Sequence, residues 1–365
     1  MTAHPTPDEL ATVLPAPPTV TFASDNAAGV HPRVMQALVA ANEGHAVAYG
    51  HDRWSRRLTD AMRERFGAPV EVLPVWGGTG ANVVALACLT HASDAVVCTD
   101  TSHIHVDEAG APERMAGTKL LAVATTDGKL RPDDLRAHAA WRGDEHHPQP
   151  KVVSITQSTE VGTLYSPDEI AALADTAHSL GMYVHLDGAR IANAVAALGG
   201  DLRATTIGAG VDVISFGGTK NGMMYGEAVV FCAPELASRA VFVRKQLAQL
   251  PSKARFIAAQ MLALFDDDLW LQLAAHANGM TARLAAAVAD VPGLELAGAP
   301  VVNSIFPRLP RAAIAPLQRW CPFYTWDDAE ARVRWMTAWD TTADDVDAFA
   351  GGVRTLLDRL ARDEA

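Results

Sequence analysis

The stretch ISFGGTKNGMMYGEAVVF, Ile214 to Phe231, sets one lysine among glycines between two apolar runs. The flanking runs have the Val/Ile/Phe content of buried strands. Between them the chain opens at Gly217 and Gly218, shows Lys220, and returns into the core at Glu227. A solvated lysine requires no such frame. An amine enclosed by apolar strands loses solvation, its pKa falls, and it becomes a nucleophile toward aldehydes.

Outward from this stretch the same texture recurs. VEVLPV (70–75), AVVCTD (95–100), KLLAVAT (119–125), KVVSITQ (151–157), YVHLDGA (183–189) and EAVVFCA (227–233) read as strands. HPRVMQALVAANEG, RWSRRLTDAMRERFG, ANVVALACLTHA and SPDEIAALADTAHSLG read as helices, the last with a Ser-Pro start, early acids and a Gly stop. Strands alternating with helices predict an α/β domain whose mostly parallel sheet is covered on both faces, with ligands beyond the carboxyl ends of the strands. After about residue 255 the chain turns to long helical stretches with a few strand candidates, LELAG, SIFPRL and VRWMTAWD, which predict a smaller α+β domain. The expected division is an N-terminal arm over 1–25, a large domain over 26–255 and a small one over 256–365.

The chain has 365 residues, of which 49% are apolar and 20% charged, as in an ordinary globular enzyme. A formal charge of −12 argues against nucleic acid or an anionic membrane as partner, since phosphate backbones need clustered Lys and Arg. Cys88, Cys98, Cys232 and Cys321 form no CxxC pair and read as fillers in a reducing compartment. No secretion signal opens the sequence and no apolar run reaches the roughly 18 residues of a membrane span. These features predict a soluble, cytoplasmic protein, and no compact cluster names metal-ligating residues, so a bound ion is left open.

Chemistry-bearing residues fall where the strands end. Gly77-Gly78-Thr79-Gly80-Ala81-Asn82 follows a strand and opens a helix, so backbone N–H groups there suit an anion, although a tight strand-to-helix turn explains the glycines equally well. His103, in TSHIHVDEAGAPE, can stack on a flat ring or move a proton. His105 is expected to face elsewhere, and Asp107 with Glu108 reads either as a solvated acidic loop or as part of a site. Asp187 ends the strand YVHL, where a carboxylate needs a positive partner, either Arg190 or a protonated ring nitrogen. An aspartate and a lysine at successive strand ends fit pyridoxal phosphate, whose ring nitrogen stays protonated on the one and whose aldehyde binds the other.

With these motifs in place, the chain resembles the low-specificity L-threonine aldolases, in the aromatic amino acid β-eliminating lyase/threonine aldolase group of fold-type-I pyridoxal phosphate enzymes. The resemblance rests on FASDNAAGVHP, AYGHDRW, GGTGAN, SHIHVDEAGAPE, VVSITQSTEVGTLYSPDEIAAL, HLDGARIANA, SFGGTKNG and VRWMTAWDTT. It implies Lys220 as the Schiff-base lysine, Asp187 as the partner of the pyridine nitrogen, His103 as the stacking histidine, and Gly78, Thr79 and Gly80 as phosphate ligands. It implies that Arg190, Arg334 and Ser24 hold the substrate carboxylate. Tyr49 would reach a neighbouring subunit's site in a homo-oligomer, a dimer or tetramer, and His146 would lie near the substrate β-hydroxyl. Gln157 stands in Gln157-Ser158-Thr159-Glu160, where relatives carry Asn-Thr-His-Asn, so its expected contact with the cofactor departs from the family pattern. Gly80 replaces a frequent alanine, and Met223, Met224 and Tyr225 are larger than expected, which would affect substrate choice if they face the pocket.

The implied reaction is a reversible retro-aldol cleavage of a β-hydroxy-α-amino acid to glycine and an aldehyde, with His103 or His146 as base. β-Elimination and transamination on the same cofactor are the near alternatives. A cofactor-binding regulator and a nucleotide-dependent dehydrogenase are remote ones, since the dehydrogenase requires a GxGxxG that is absent.

Overall fold

The computed structural model of the protein describes residues 12–364. The first part of the expected N-terminal arm, residues 1–11, lies outside the described residues. The chain forms two compact units, Val30–Gln272 and the chain before Val30 together with Leu273 onward.

The larger unit is built on seven strands: β1 (Glu71–Val75), β2 (Asp94–Thr99), β3 (Lys119–Val123), β4 (Gln149–Thr156), β5 (Tyr183–Gly188), β6 (Val213–Phe216) and β7 (Glu227–Phe231). Their order is β1-β7-β6-β5-β4-β2-β3. Only β7 runs against the others, pairing antiparallel with both β1 and β6. The reversal follows from length, because ten residues (217–226) join β6 to β7, and a parallel crossover takes about a dozen or more. Val96, Val97, Val152, Val153, Val184, Leu186, Val213, Ile214, Val229 and Val230 are fully buried, which accounts for their continuous apolar runs.

The helices follow their sequence signals. In the helix Pro167–Ser179 the Ser166 hydroxyl accepts from the Glu169 N–H at 3.1 Å, and the Glu169 carboxylate accepts from the Ser166 N–H at 2.8 Å. The helix Arg53–Phe66 is capped by Asp52, whose Oδ1 accepts from Ser55 N–H, and it stops at Gly67 in the left-handed region (φ 58°). The helix Gly78–Leu89 is apolar on most sides and lies in the core beside Val96, Cys98, Val152, Val213 and Val229. Its first turn is thereby fixed at the carboxyl end of β1.

The long run from Gln260 to Asp290 is not one helix. The helix Arg255–Phe265 ends at Asp267 and Asp268, with φ of 53° and 52°, and a second helix spans Leu269–Val288. Arg255–Phe265 packs on the helices Pro32–Ala41 and Arg53–Phe66, so the compact unit runs past the division expected at residue 255. In the other unit, β8 (Ser304–Ile305), β9 (Tyr324–Asp327) and β10 (Arg332–Met336) form an antiparallel sheet in the order β8-β10-β9. Its core gathers Trp335, Val346, Phe349 and Val353 around Phe22, whose ring stacks on Phe349 at 4.2 Å. Phe22 also accepts a backbone bond from Met336, so this part of the expected arm is built into the unit.

Candidate active site

The carboxyl ends of β1, β2, β4, β5 and β6, and the amino end of β7, share one edge of the sheet. At β1, Gly77 precedes the helix Gly78–Leu89, whose first N–H groups belong to Gly78, Thr79 and Gly80. A methyl group on Gly77 or Gly78 would meet nothing within 4 Å, which leaves open ground at a helix N-terminus. Gly80 has a different reason. The Gln249 carboxamide occupies the place its Cβ would take and also accepts from the Trp76 N–H at 3.2 Å.

At β2, Ser102 Oγ donates to the Thr99 carbonyl at 2.8 Å and starts a single helical turn, His103–Val106. This turn sends His105 and Asp107 to solvent and Glu108 into the interior, where its side chain is fully buried. His103 Nδ1 lies 2.8 Å from Glu108 Oε1. Asn82 Nδ2, from the second turn of the apolar helix, donates to Glu108 Oε1 and to Asp187 Oδ2, each at 2.8 Å. Asp187 also accepts from the Ala189 N–H at 3.0 Å. The bond to Glu108 and the charges of Asp187 and Glu108 raise the proton affinity of His103 against burial and the nearby Lys220.

Beyond β4, Glu160 Oε1 accepts from the His103 N–H and from the Thr156 hydroxyl, both at 2.8 Å. Its Oε2 is buried without a hydrogen-bond partner. Burial, and then the charge of Asp187, push this carboxyl up to about 7. Gln157 is turned inward instead of toward the strand ends. Its amide Nε2 donates to the Tyr165 carbonyl at 2.8 Å and its Oε1 accepts from the Tyr165 N–H at 3.0 Å, so the expected cofactor contact gives way to a turn-closing role.

Asp187 pairs in register with Thr156 of β4 and Ser215 of β6, and is 4% exposed. Two residues earlier on the same strand, His185 is fully buried between Ser154 and Ser215, at 2.9 and 3.0 Å. Burial lowers its pKa to about 4, so it stands neutral below Asp187. Arg190, half-buried, precedes the helix Ile191–Ala197.

Lys220 sits in a short 3-10 turn, Thr219–Asn221, closed by Gly222 at φ 94°. Gly217 and Gly218 do not make room for a ligand, as their place beside Lys220 suggests. A Cβ on Gly217 would collide with the Ala189 carbonyl, and one on Gly218 with Met223 Sδ. They let the turn pack closely. The buried Glu227 carboxylate accepts from the Gly218 N–H, and burial raises it to about 7 against the pull of these bonds and Lys220. Asn221 ties the far side to the Trp270 carbonyl at 2.9 Å. Met223 is buried, Tyr225 stacks on Trp76 at 5.8 Å, and Met224 is exposed.

Other expected residues lie elsewhere. His146 is exposed in the loop before β4, at the opposite edge of the sheet, with its N–H on Asp144 at 2.9 Å. The chain does not bring it to its own strand ends. Tyr49, at φ 61°, is exposed and lies under Lys245 Nζ. Ser24 and Arg334 belong to the unit containing Leu273 onward. There Ser24 Oγ caps the turn Asp25–Ala27, and Arg334 Nη2 donates to the Ala23 carbonyl at 3.3 Å, its guanidinium over Tyr324 and Trp326. Sequence alone assigns no role to Asn82, Glu160 and Glu227, and it leaves Glu108 between two readings. The carboxyls carried no signal of their burial, but Asn82 was legible as the one amide inside an apolar helix.

A family model described as β-eliminating lyase matches residues 21–307. The low specificity L-threonine aldolase of Pseudomonas aeruginosa is 44% identical over 92% of this chain and 97% of that protein. The protein of the same name from a Pseudomonas strain is 42% identical over 92% of this chain and 97% of its own. The chain belongs to the threonine aldolase/β-eliminating lyase family. The solved structure of a Leishmania major threonine aldolase superposes with a TM-score of 0.86 at 31% identity, covering 93% of this chain and 99% of that one. Members of the family are pyridoxal 5′-phosphate-dependent lyases of fold type I, and this chain is one of them.

The residues fit that cofactor. A buried carboxylate, Asp187, suits a protonated ring nitrogen, and the open Gly77-Gly78 surface at a helix N-terminus suits a phosphate. The buried, unpartnered Asn82 Oδ1, Glu108 Oε2 and Glu160 Oε2 in the same cluster mark polar capacity that the chain alone does not use.

Proposed function

We propose that the protein cleaves L-threonine, L-allo-threonine and related L-β-hydroxy-α-amino acids reversibly to glycine and an aldehyde. The observation that carries this reading is the cluster at one sheet edge, where Asp187 ends β5, Lys220 follows β6, and His103 is held by Glu108. Bound pyridoxal phosphate supplies an electron sink for the pair left on Cα when the Cα–Cβ bond breaks. Asp187 holds the ring-nitrogen proton, Lys220 is the amine that retains the cofactor, and Gly78, Thr79 and Gly80 offer N–H groups to its phosphate. Arg190 takes the substrate carboxylate through its guanidinium fork. His103 accepts the β-hydroxyl proton, a role that its place beside the cluster favours over His146.

Incubation with L-threonine should release equal amounts of glycine and acetaldehyde, and Lys220→Ala should abolish both. The family description favours β-elimination as a second reading, which instead requires a keto acid and ammonia. An oligomer with shared sites is part of the proposal, supported by exposed Tyr49, Val47 and Phe242 on the larger unit. A solution mass no greater than the 38.7 kDa chain would count against it. Among the described residues no helix is long and apolar enough to cross a membrane, and we place the protein in the cytoplasm.

A further inference from the structure

We propose that Glu108 and Asn82 are positioning residues that fix the His103 imidazole in its Nδ1–H form and tie it to Asp187 through one amide. Asn82 Nδ2 has two hydrogens, and two carboxylate oxygens stand at 2.8 Å from it, Glu108 Oε1 and Asp187 Oδ2. Glu108 Oε1 thus already accepts one bond when it meets His103 Nδ1 at 2.8 Å. The one proton shared by Oε1 and Nδ1 rests on the imidazole, because a carboxyl group binds a proton less tightly than an imidazole does. Oε1 therefore accepts twice, and Nδ1 is the donor. A neutral imidazole carries one N–H, so the lone pair stands at Nε2.

The side chains that act on this ring by charge are Glu108, Asp187 and Lys220, while Glu160 holds the His103 backbone N–H. Glu108 does two separable things. It fixes the tautomer through its oxygen, and it stabilises the imidazolium through its charge. Asn82 also links the carboxylate that serves His103 to the one that serves the cofactor ring, so a change at one end reaches the other through a single side chain. The catalytic use of Nε2 rests on the aldolase reading, whereas the tautomer does not.

The test is the nitrogen spectrum of the full-length, cofactor-loaded protein with labelled histidine, His103 being assigned by its loss in His103→Phe. The wild-type ring should show a protonated Nδ1 and a bare Nε2 in its neutral form. Glu108→Gln keeps the acceptor oxygen, so the tautomer should persist while the acid limb of the kcat profile moves down by about one pH unit. Glu108→Ala should mix the tautomers and lower kcat on the order of 10²-fold with KM changed little. Asn82→Ala should weaken cofactor binding by about tenfold, as expected for loss of one hydrogen bond to a charge. A wild-type ring protonated at Nε2 overturns the proposal whatever the activity. So does a Glu108→Ala enzyme with the wild-type tautomer and pH profile.

Discussion

Glu160 shows how a single carboxyl can be set by its surroundings. Its Oε1 is fully engaged, its Oε2 is buried, and Asp187 repels its charge, so it holds a proton up to about 7. In the unfolded chain a glutamate gives up that proton near 4.3. The folded state therefore binds the extra proton between these limits. The resulting stability is complete below the lower limit and is lost as pH rises through about 7, an effect of about 4 kcal/mol at most. Glu160→Gln keeps an oxygen for the His103 N–H and removes the charge. Its thermal midpoint in the cofactor-free protein should exceed that of the wild type at about pH 8 and match it at about pH 4. An unchanged difference across the range would contradict this. Asp187, His103 and Lys220 were legible because each stands where a strand ends. Glu108 and Glu160 were not, because whether a carboxylate in a loop is solvated or buried depends on partners distant in sequence.

Among the elements, the two glycine-rich segments look alike in sequence and differ in space. Gly78 faces open ground at a helix start, whereas Gly217 is pressed against the Ala189 carbonyl. Gly78→Ala should leave the thermal midpoint of the cofactor-free chain unchanged and weaken binding of the cofactor phosphate. Gly217→Ala must move backbone and should cost about 1–3 kcal/mol, the usual range for overpacking. Thermal unfolding with and without cofactor separates the two. If both variants lose stability equally, the distinction fails. Strand content was readable from the Val/Ile runs, but the direction of β7 was not read from them. It is set by the short connection around Lys220, which is too brief for a crossover.

At the scale of the molecule, the α/β architecture followed from alternation alone, while the smaller unit was harder to read. β9, Tyr324–Asp327, is half exposed and carries no apolar run. Gly351 and Gly352 lie inside the helix Ala343–Glu364, as the run ADDVDAFAGGVRTLLDRLA suggests, and the Trp320 ring occupies the space beside Gly352. Phe22 joins this unit from the opposite end of the chain, a partnership that no local pattern contains. On the proposed reading the chemistry lies in Val30–Gln272, at the carboxyl edge of its sheet, and depends on Lys220 being the amine that holds the cofactor. Borohydride reduction of the loaded protein, followed by peptide mass mapping, tests that claim most directly. The pyridoxyl mass should fall on the peptide containing Lys220 and disappear in Lys220→Ala. A label on Lys129, Lys245 or Lys253 in an active preparation would contradict it.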